Sequence, residues 1–259
     1  MSNYWAKRLA RAQDIISSKS AVAIDRQLKK YYQNLAKKTI SDFESVYDKI
    51  LKQQAEGKQV TPADLYKLDK YWEMQGNLRQ ELRKLGEKEV ALLTKNFELN
   101  YFEVYHSLNI EGLEAFKTID KNSVQQVINQ IWCADGKSWS QRIWKNTELL
   151  ADTLNEELVH CVATGKKTTQ LKNLLQERFA VSYNNADMLV RTELAHIQTQ
   201  AAQQRYKDYG IEKMEVWVDE DERTCPICAK HEGETYLVTE QMPVPFHPRC
   251  RCCMVPVIE

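Results

Sequence analysis

Apolar residues recur at three- and four-residue steps along most of this chain, the period of helices that bury one side. YWAKRLARAQDIISS places Trp5, Leu9, Ala12 and Ile16 on one stripe beside a basic face. From Ala23 onward, Ile24, Leu28, Tyr31, Leu35, Ile40, Phe43, Val46 and Ile50 keep that spacing, so residues 4–56 read as helix broken once. TPAD opens the next helix: Thr61 is placed to cap it, Pro62 fits the first helical position, and Asp64 can reach back to the cap. This tract is expected to run through Leu108, with Leu78, Leu82, Leu85, Val90, Leu93, Phe97, Tyr101 and Val104 as its core line. Gly76 and Gly86 mark points where it would kink or stop. Further helices are expected over 123–132, 140–163 and 169–179, with Gly165 in the left-handed position that closes the second of them. A last helix should run from a Ser182 cap to a Gly210 stop, burying Ala186, Leu189, Val190, Ala195, Ile197 and Ala201.

After Gly210 the period shortens to two. KMEVWVD sets Met214, Val216 and Val218 against Glu215 and Trp217, and ETYLVT and CCMVPVI also read as strands. The expected fold is therefore mainly α, an elongated helical body followed by a small β-containing Cys/His module. The expected division is a basic N-terminal helical arm (1–60), a helical body (61–210) and a β module (211–259). Composition agrees: there are only 8 glycines, and every proline but Pro62 lies beyond Cys225, which favours long helices before that point.

The formal charge is zero but unevenly spread. Residues 1–38 hold nine Lys/Arg against Asp14 and Asp25, whereas residues 211–240 hold nine Asp/Glu against Lys213, Arg223 and Lys230. Such a split implies different partners for the two ends, or each end for the other. No stretch of 18 apolar residues is present, and the basic start has no apolar region behind it. Neither a membrane span nor a secretory signal is expected. A reducing cytoplasm follows as the expected compartment, where clustered cysteines more often bind metal than form disulfides.

The cysteines are clustered. Five of the seven fall between Cys225 and Cys253, and only Cys133 and Cys161 lie elsewhere. Zn²⁺ is commonly held by two close pairs of thiolate or imidazole ligands separated by a loop. Cys225 and Cys228 form one such pair, and His247 and Cys250 form a second after an 18-residue gap. Cys252 competes with Cys250, because an extended strand points both to one face and turns Cys253 away. Thiolates favour zinc over calcium despite the nearby Asp219, Glu220, Asp221 and Glu222. The site reads as structural Zn²⁺, with reduced cysteines packed as small apolar residues, or a disulfide in an exported particle, as alternatives. His231 is a further candidate ligand.

The string DERTCPICAKHEGETY followed by PFHPRCRC resembles the C-terminal signature of the Mu F-like phage head morphogenesis family, minor head proteins encoded beside the portal gene. Asp221, Arg223, Thr224, Cys225, Cys228, Gly233, Pro245, His247, Pro248, Cys250, Arg251 and Cys252 occupy the positions of that pattern. LVRTELAHIQTQA is similar to the family's RTE helix, through Arg191, Thr192 and Glu193. SWSQRIWKN and YWAKR resemble its Gram-positive-phage branch. The resemblance implies a minor capsid component of the virion or procapsid, present in few copies and assembled in the host cytoplasm. Portal, capsid or scaffold proteins would be its partners, and head assembly or DNA delivery its role. It also implies structural roles for Arg191, Glu193, Asp221 and Arg223. Arg191 and Glu193, two positions apart on a helix, point to different sides, so ion pairs tying that helix to the cysteine module are expected rather than catalysis.

Enzymatic readings find little footing. A zinc deaminase needs H-x-E before P-C-x-x-C, but Ile197 and Gln198 follow His196, and Cys225 precedes Pro226. A zinc-assisted nuclease with His231 or His247 as base stays open. The competing non-enzymatic reading is a zinc-containing nucleic-acid-binding protein. Arg8, Arg11, Lys29, Lys30, Lys37 and Lys38, with Tyr4, Trp5, Tyr31 and Tyr32 interleaved, would contact double-stranded DNA without sequence preference, or the portal. The apolar stripes around Trp5, Leu9, Ile16, Tyr31 and Leu35 suggest an arm that docks on a capsid-side partner.

Overall fold

The structure, a computed structural model, describes residues 2–114, 119–218, 221–222 and 224–258. It is mainly α-helical. Helices α1 (Ser2–Ala55), α2 (Pro62–Leu65), α3 (Asp69–Ser107), α4 (Lys121–Ile128), α5 (Trp139–Thr164) and α6 (Thr168–Asp208) precede the C-terminal module. The module contains β1 (Lys213–Trp217), α7 (Pro226–Ala229), β2 (Thr235–Leu237) and β3 (Cys253–Pro256). The chain divides into two compact units, one of residues 1–25, 92–139 and 188–259, the other of residues 26–91 and 140–187. The three long helices each contribute to both, so the units do not follow the boundaries expected near residues 60 and 210.

Four expected interruptions are absent. Helix α1 runs unbroken through its serine-rich stretch, because Ile16, Ala21 and Ile24 continue the buried stripe. Asn100 Nδ2 also donates to Ser20 Oγ at 3.0 Å, giving that hydroxyl a tertiary partner. Gly76 and Gly86 lie inside an uninterrupted α3. Ser182 is not a cap: it sits in the middle of α6, buried, with its carbonyl accepting from Asn146 Nδ2 at 2.9 Å. In α1 and at Gly86 and Ser182 burial outweighs a weak local propensity, while at exposed Gly76 a single glycine costs only about 1 kcal/mol, too little to end the helix. The expected stops are present: Gly165 and Gly210 adopt φ of 61° and 75°, and the amides of Lys166 and Ile211 bond back to the carbonyls of Cys161 and Tyr206. At α2, the Asp64 carboxylate accepts from both the amide and the hydroxyl of Thr61, as expected.

The N-terminal segment is not a free arm. Leu9, Ile16, Ile24, Leu28 and Leu35 are all buried within the chain, and Trp5 and Tyr31 are half-buried, so this stripe is core rather than a docking surface. In the first unit, Ala6 and Ala10 pack on Val255 of β3, beside Trp217 and Cys253. The sheet order is β2-β1-β3, antiparallel throughout, with Met214 opposite Tyr236 on one side and Pro256 on the other.

The second unit holds two features with measurable consequences. The indole of Trp144 lies so close to Gly86 that a Cβ there would meet it at 2.5 Å, whereas a Cβ at Gly76 would meet nothing within 4 Å. Gly76→Ala should therefore stabilise by up to about 1 kcal/mol through helix propensity. Gly86→Ala should destabilise by about 1–3 kcal/mol through overpacking. Thermal melts of the two variants test this, and equal shifts would refute the close approach.

The other feature is a polar node of Tyr32, Glu89, Asn146 and Ser182, drawn from four helices. Asn146 Nδ2 donates to the Tyr32 hydroxyl at 3.1 Å, and that hydroxyl bonds to the Glu89 carboxyl, whose Oε1 is left without a partner. Burial pushes the Glu89 carboxyl up to about 7. Because the folded value exceeds the unfolded one, the folded state keeps a proton that the unfolded state releases. Stability falls as pH rises from the ordinary carboxyl range through about 7, by roughly 3 kcal/mol in all. Glu89→Gln should raise the melting temperature at about pH 8 and lose that advantage near pH 5. A pH-independent difference between variant and wild type would contradict the assignment.

Candidate metal centre

Pro226 at the first position of α7 and Cys225 at its N-cap fold the CPIC stretch into a tight turn, with the Cys228 amide donating to Cys225 Sγ at 3.4 Å. A second turn closes where the Cys250 amide bonds to the His247 carbonyl, and Arg249 within it adopts a positive φ of 61°. The two turns bring together two groups of donor atoms, Cys225, Cys228 and His247 in one, and Cys228, Cys250 and Cys252 in the other. Within each group the ligand atoms all lie within 4.8 Å of one another, and Cys228 belongs to both. Cys253 points away and packs beside Val255.

The geometry fits a metal ion. A tetrahedral site with metal–sulfur bonds of about 2.3 Å separates its sulfurs by roughly 3.7–3.8 Å. Cys228 Sγ and Cys250 Sγ are 3.7 Å apart. His247 Nε2 lies 3.1 Å from Cys225 Sγ and 3.0 Å from Cys228 Sγ, while its Nδ1 bonds to the Pro248 carbonyl at 2.8 Å. That outer bond fixes the ring and turns Nε2 toward the sulfurs.

The protonation pattern points the same way, since four thiols this close cannot all ionise without a cation among them. The Cys228 amide draws Cys225 down to about 7. The Cys252 thiol, bonding to Cys250, brings that group down to about 5 and is itself pushed far up by the same bond. Burial raises Cys228 to about 12. Burial also opposes a charged His247, but the Pro248 carbonyl and the nearby thiolates raise it above the usual histidine range. A bound cation would replace this unequal sharing of protons with uniform ionisation.

The surroundings brace the cluster. Arg251 holds Asp221 by two bonds of 3.0 and 2.6 Å, giving Asp221 of the signature a structural place. The amide of Arg249 donates to Thr192 Oγ1 of α6 at 3.1 Å. This backbone bond to Thr192 ties the RTE helix to the module, while Glu193 is buried and accepts from Trp132 Nε1 at 2.9 Å. Arg191 is exposed. Arg223, like Asp219 and Glu220, lies outside the described residues. His231 bonds to Glu234 at 2.8 Å and stacks on Phe246, outside both donor groups. Arg8, Arg11, Lys29, Lys30, Lys37 and Lys38 are all exposed along α1; Lys38 pairs with Glu81, and Arg8 lies over Trp5.

Sequence reasoning missed Trp132, His196 and Gln13. The Trp132 and His196 rings stack at 4.3 Å, and Gln13 Nε2 donates to the Met254 carbonyl at 3.0 Å. These contacts join residues 64 and 241 positions apart, so no local spacing announces them.

A mainly helical chain ending in a braced Cys/His cluster is the class of protein that fold and site define. Residues 152–255, from within α5 to β3, match the family model described as Phage Mu protein F like protein, so this part of the chain is similar to that family. No curated protein and no solved structure matches the chain.

Cys228→Ser should abolish metal binding whichever donor group holds the ion, and Cys253→Ser should leave it intact. Cys225→Ser and Cys252→Ser separate the two groups. Metal content per chain measured on the four variants decides, and full retention by Cys228→Ser would overturn the site.

Proposed function

We propose that this protein is a minor head component of a bacteriophage, acting in head morphogenesis beside the portal and carrying a structural Zn²⁺ in its C-terminal module. The observation that carries the reading is the family match over 152–255, which includes every ligand candidate in the cysteine cluster. Cys225, Cys228, His247 and Cys250 are the proposed ligands, with Cys252 as the alternative to Cys250. Thiolates with one imidazole are a zinc donor set, and four protein ligands leave no open position for a reacting water. The protein therefore acts by binding rather than by catalysis. No helix of the described residues is long and apolar enough to cross a membrane, and the proposed partners are portal, capsid and scaffold proteins met in the host cytoplasm.

The proposed portal contact is the outward face of α1 in the first unit. Tyr4, Ile15 and Val22 are 67%, 56% and 54% exposed there, on one helical stripe with Arg8 and Arg11. Aromatic, aliphatic and arginine side chains side by side are the composition of protein interfaces. Ile15→Glu combined with Val22→Glu should leave a folded, metal-loaded protein that no longer co-purifies with portal or heads. Normal incorporation of that variant would place the contact elsewhere. Absence of the wild-type protein from purified heads would sink the head assignment and favour a zinc-containing nucleic-acid-binding protein outside the particle.

A further inference from the structure

Helix α1 changes character within its length. Residues 26–41 contain Arg26, Lys29, Lys30, Lys37 and Lys38 and no Asp or Glu. All five cations are exposed, and Arg26, Lys29, Lys30 and Lys37 make no ion pair among the described residues. Helix α3 runs antiparallel beside this stretch: Lys38 meets Glu81 at 3.1 Å, and Lys88 Nζ lies 5.7 Å from the Tyr31 ring centroid. Lys84 and Lys88, exposed on α3, therefore extend the same basic surface, and Glu81 is shared between Lys38 and Lys84. The whole surface belongs to the second compact unit.

What it lacks selects its partner. Among the described residues, none of the exposed large apolar side chains lies between Val22 and Tyr66 or between Trp72 and Leu99. A protein partner needs a desolvated apolar centre, and lysine is depleted at such centres. A phosphate backbone needs only cations in register, and sixteen helical residues extend for about 24 Å, a large part of one duplex turn.

We propose that the surface formed by residues 26–41 with Lys84 and Lys88 binds the phosphate backbone of double-stranded DNA without reading its sequence. The proposal rests on the head assignment only for the source of the DNA; the charge complementarity stands on the chain's own residues. Tyr31, half-buried between the lysines, positions Lys88 rather than reading bases. Because phosphates are bound by releasing counterions, about five contacts should give a slope near −4 to −5 of log K against log salt. Affinity should then fall roughly 10²–10³-fold between about 50 and 200 mM salt.

The test measures binding of the full chain to a mixed-sequence duplex across a salt series, by fluorescence anisotropy. Lys30→Gln with Lys37→Gln should reduce the slope by about 2 and weaken binding roughly tenfold to a hundredfold. Lys49→Gln with Lys52→Gln makes the same charge change near the end of α1, where Asp48 and Glu56 flank the lysines, and should leave binding unchanged. The substitutions are at exposed positions, so unchanged melting temperatures exclude unfolding as the cause. Undetectable binding at low salt, a flat salt dependence, or equal losses in the two double variants would each overturn the proposal. Tighter binding of polyglutamate than of DNA would overturn it in favour of an acidic protein partner. These readouts do not depend on whether the protein is found in heads, so failure here and failure of the head assignment are separately visible.

Discussion

Residues Glu193 to Thr199 of α6 are buried one after another, seven in a row over nearly two turns of helix. An amphipathic helix hides one face, but this stretch hides all of them. An unpaired buried polar group costs about 1–3 kcal/mol, and all its polar members but His196, whose Nε2 has no partner, find one inside. Glu193 takes the Trp132 indole, Thr199 donates to the Ala195 carbonyl, and Gln198 reaches the Gln13 carbonyl at 3.5 Å. His196 lies flat against Trp132, and burial holds its imidazole down to about 4, so it is neutral at physiological pH. The first turns of α1, the Trp132 loop and β3 can each occupy one place only around this segment. Gln13 makes the constraint explicit: its side chain bonds to β3 while its carbonyl accepts from α6.

The cysteine module is attached to that strut by a short path. Thr192, one residue before the buried run, accepts from the Arg249 amide in the turn that presents His247 and Cys250. Among the described residues the module has three short strands, so this tie and the Cys/His cluster both add to its order. The family match spans both the helix and the cluster, as expected if the two form one working unit.

The helices and strands were legible in the sequence because each depends on a local period. The cysteine site was legible for the same reason, since CPIC and HPRC each close a turn without help from the rest of the chain. The choice between Cys250 and Cys252 was not, because both sulfurs lie on the same side of one strand approach and the fold brings both to Cys228. The helix breaks expected between Ser18 and Ala23 and at Ser182 are absent because neighbours distant in sequence bond to Ser20 and bury Ser182. The stripe of α1 is core rather than docking surface for a related reason: periodicity shows that a face is apolar but not whether the same chain covers it. The Trp132–His196 stack left no trace at all, because its value arises only once α6 is enclosed.

The charge split along the chain resolves into two different physical situations. At the acidic end four carboxylates are used within the module. Asp221 grips Arg251, Glu232 accepts from the Val218 amide, Glu234 takes His231 and Tyr236, and Glu240 accepts from the Leu237 amide. These groups act as caps and braces for short strands and turns that lack extensive backbone pairing. At the basic end Arg26, Lys29, Lys30 and Lys37 make no ion pair among the described residues, since the helix satisfies its own backbone and its apolar stripe is already buried. Lysines that a fold does not use for itself cost it self-repulsion, and at low salt that repulsion is relieved only by an outside anion. The two ends therefore differ: one uses several of its carboxylates to brace its own turns, and the other leaves four cations of α1 without an ion pair among the described residues.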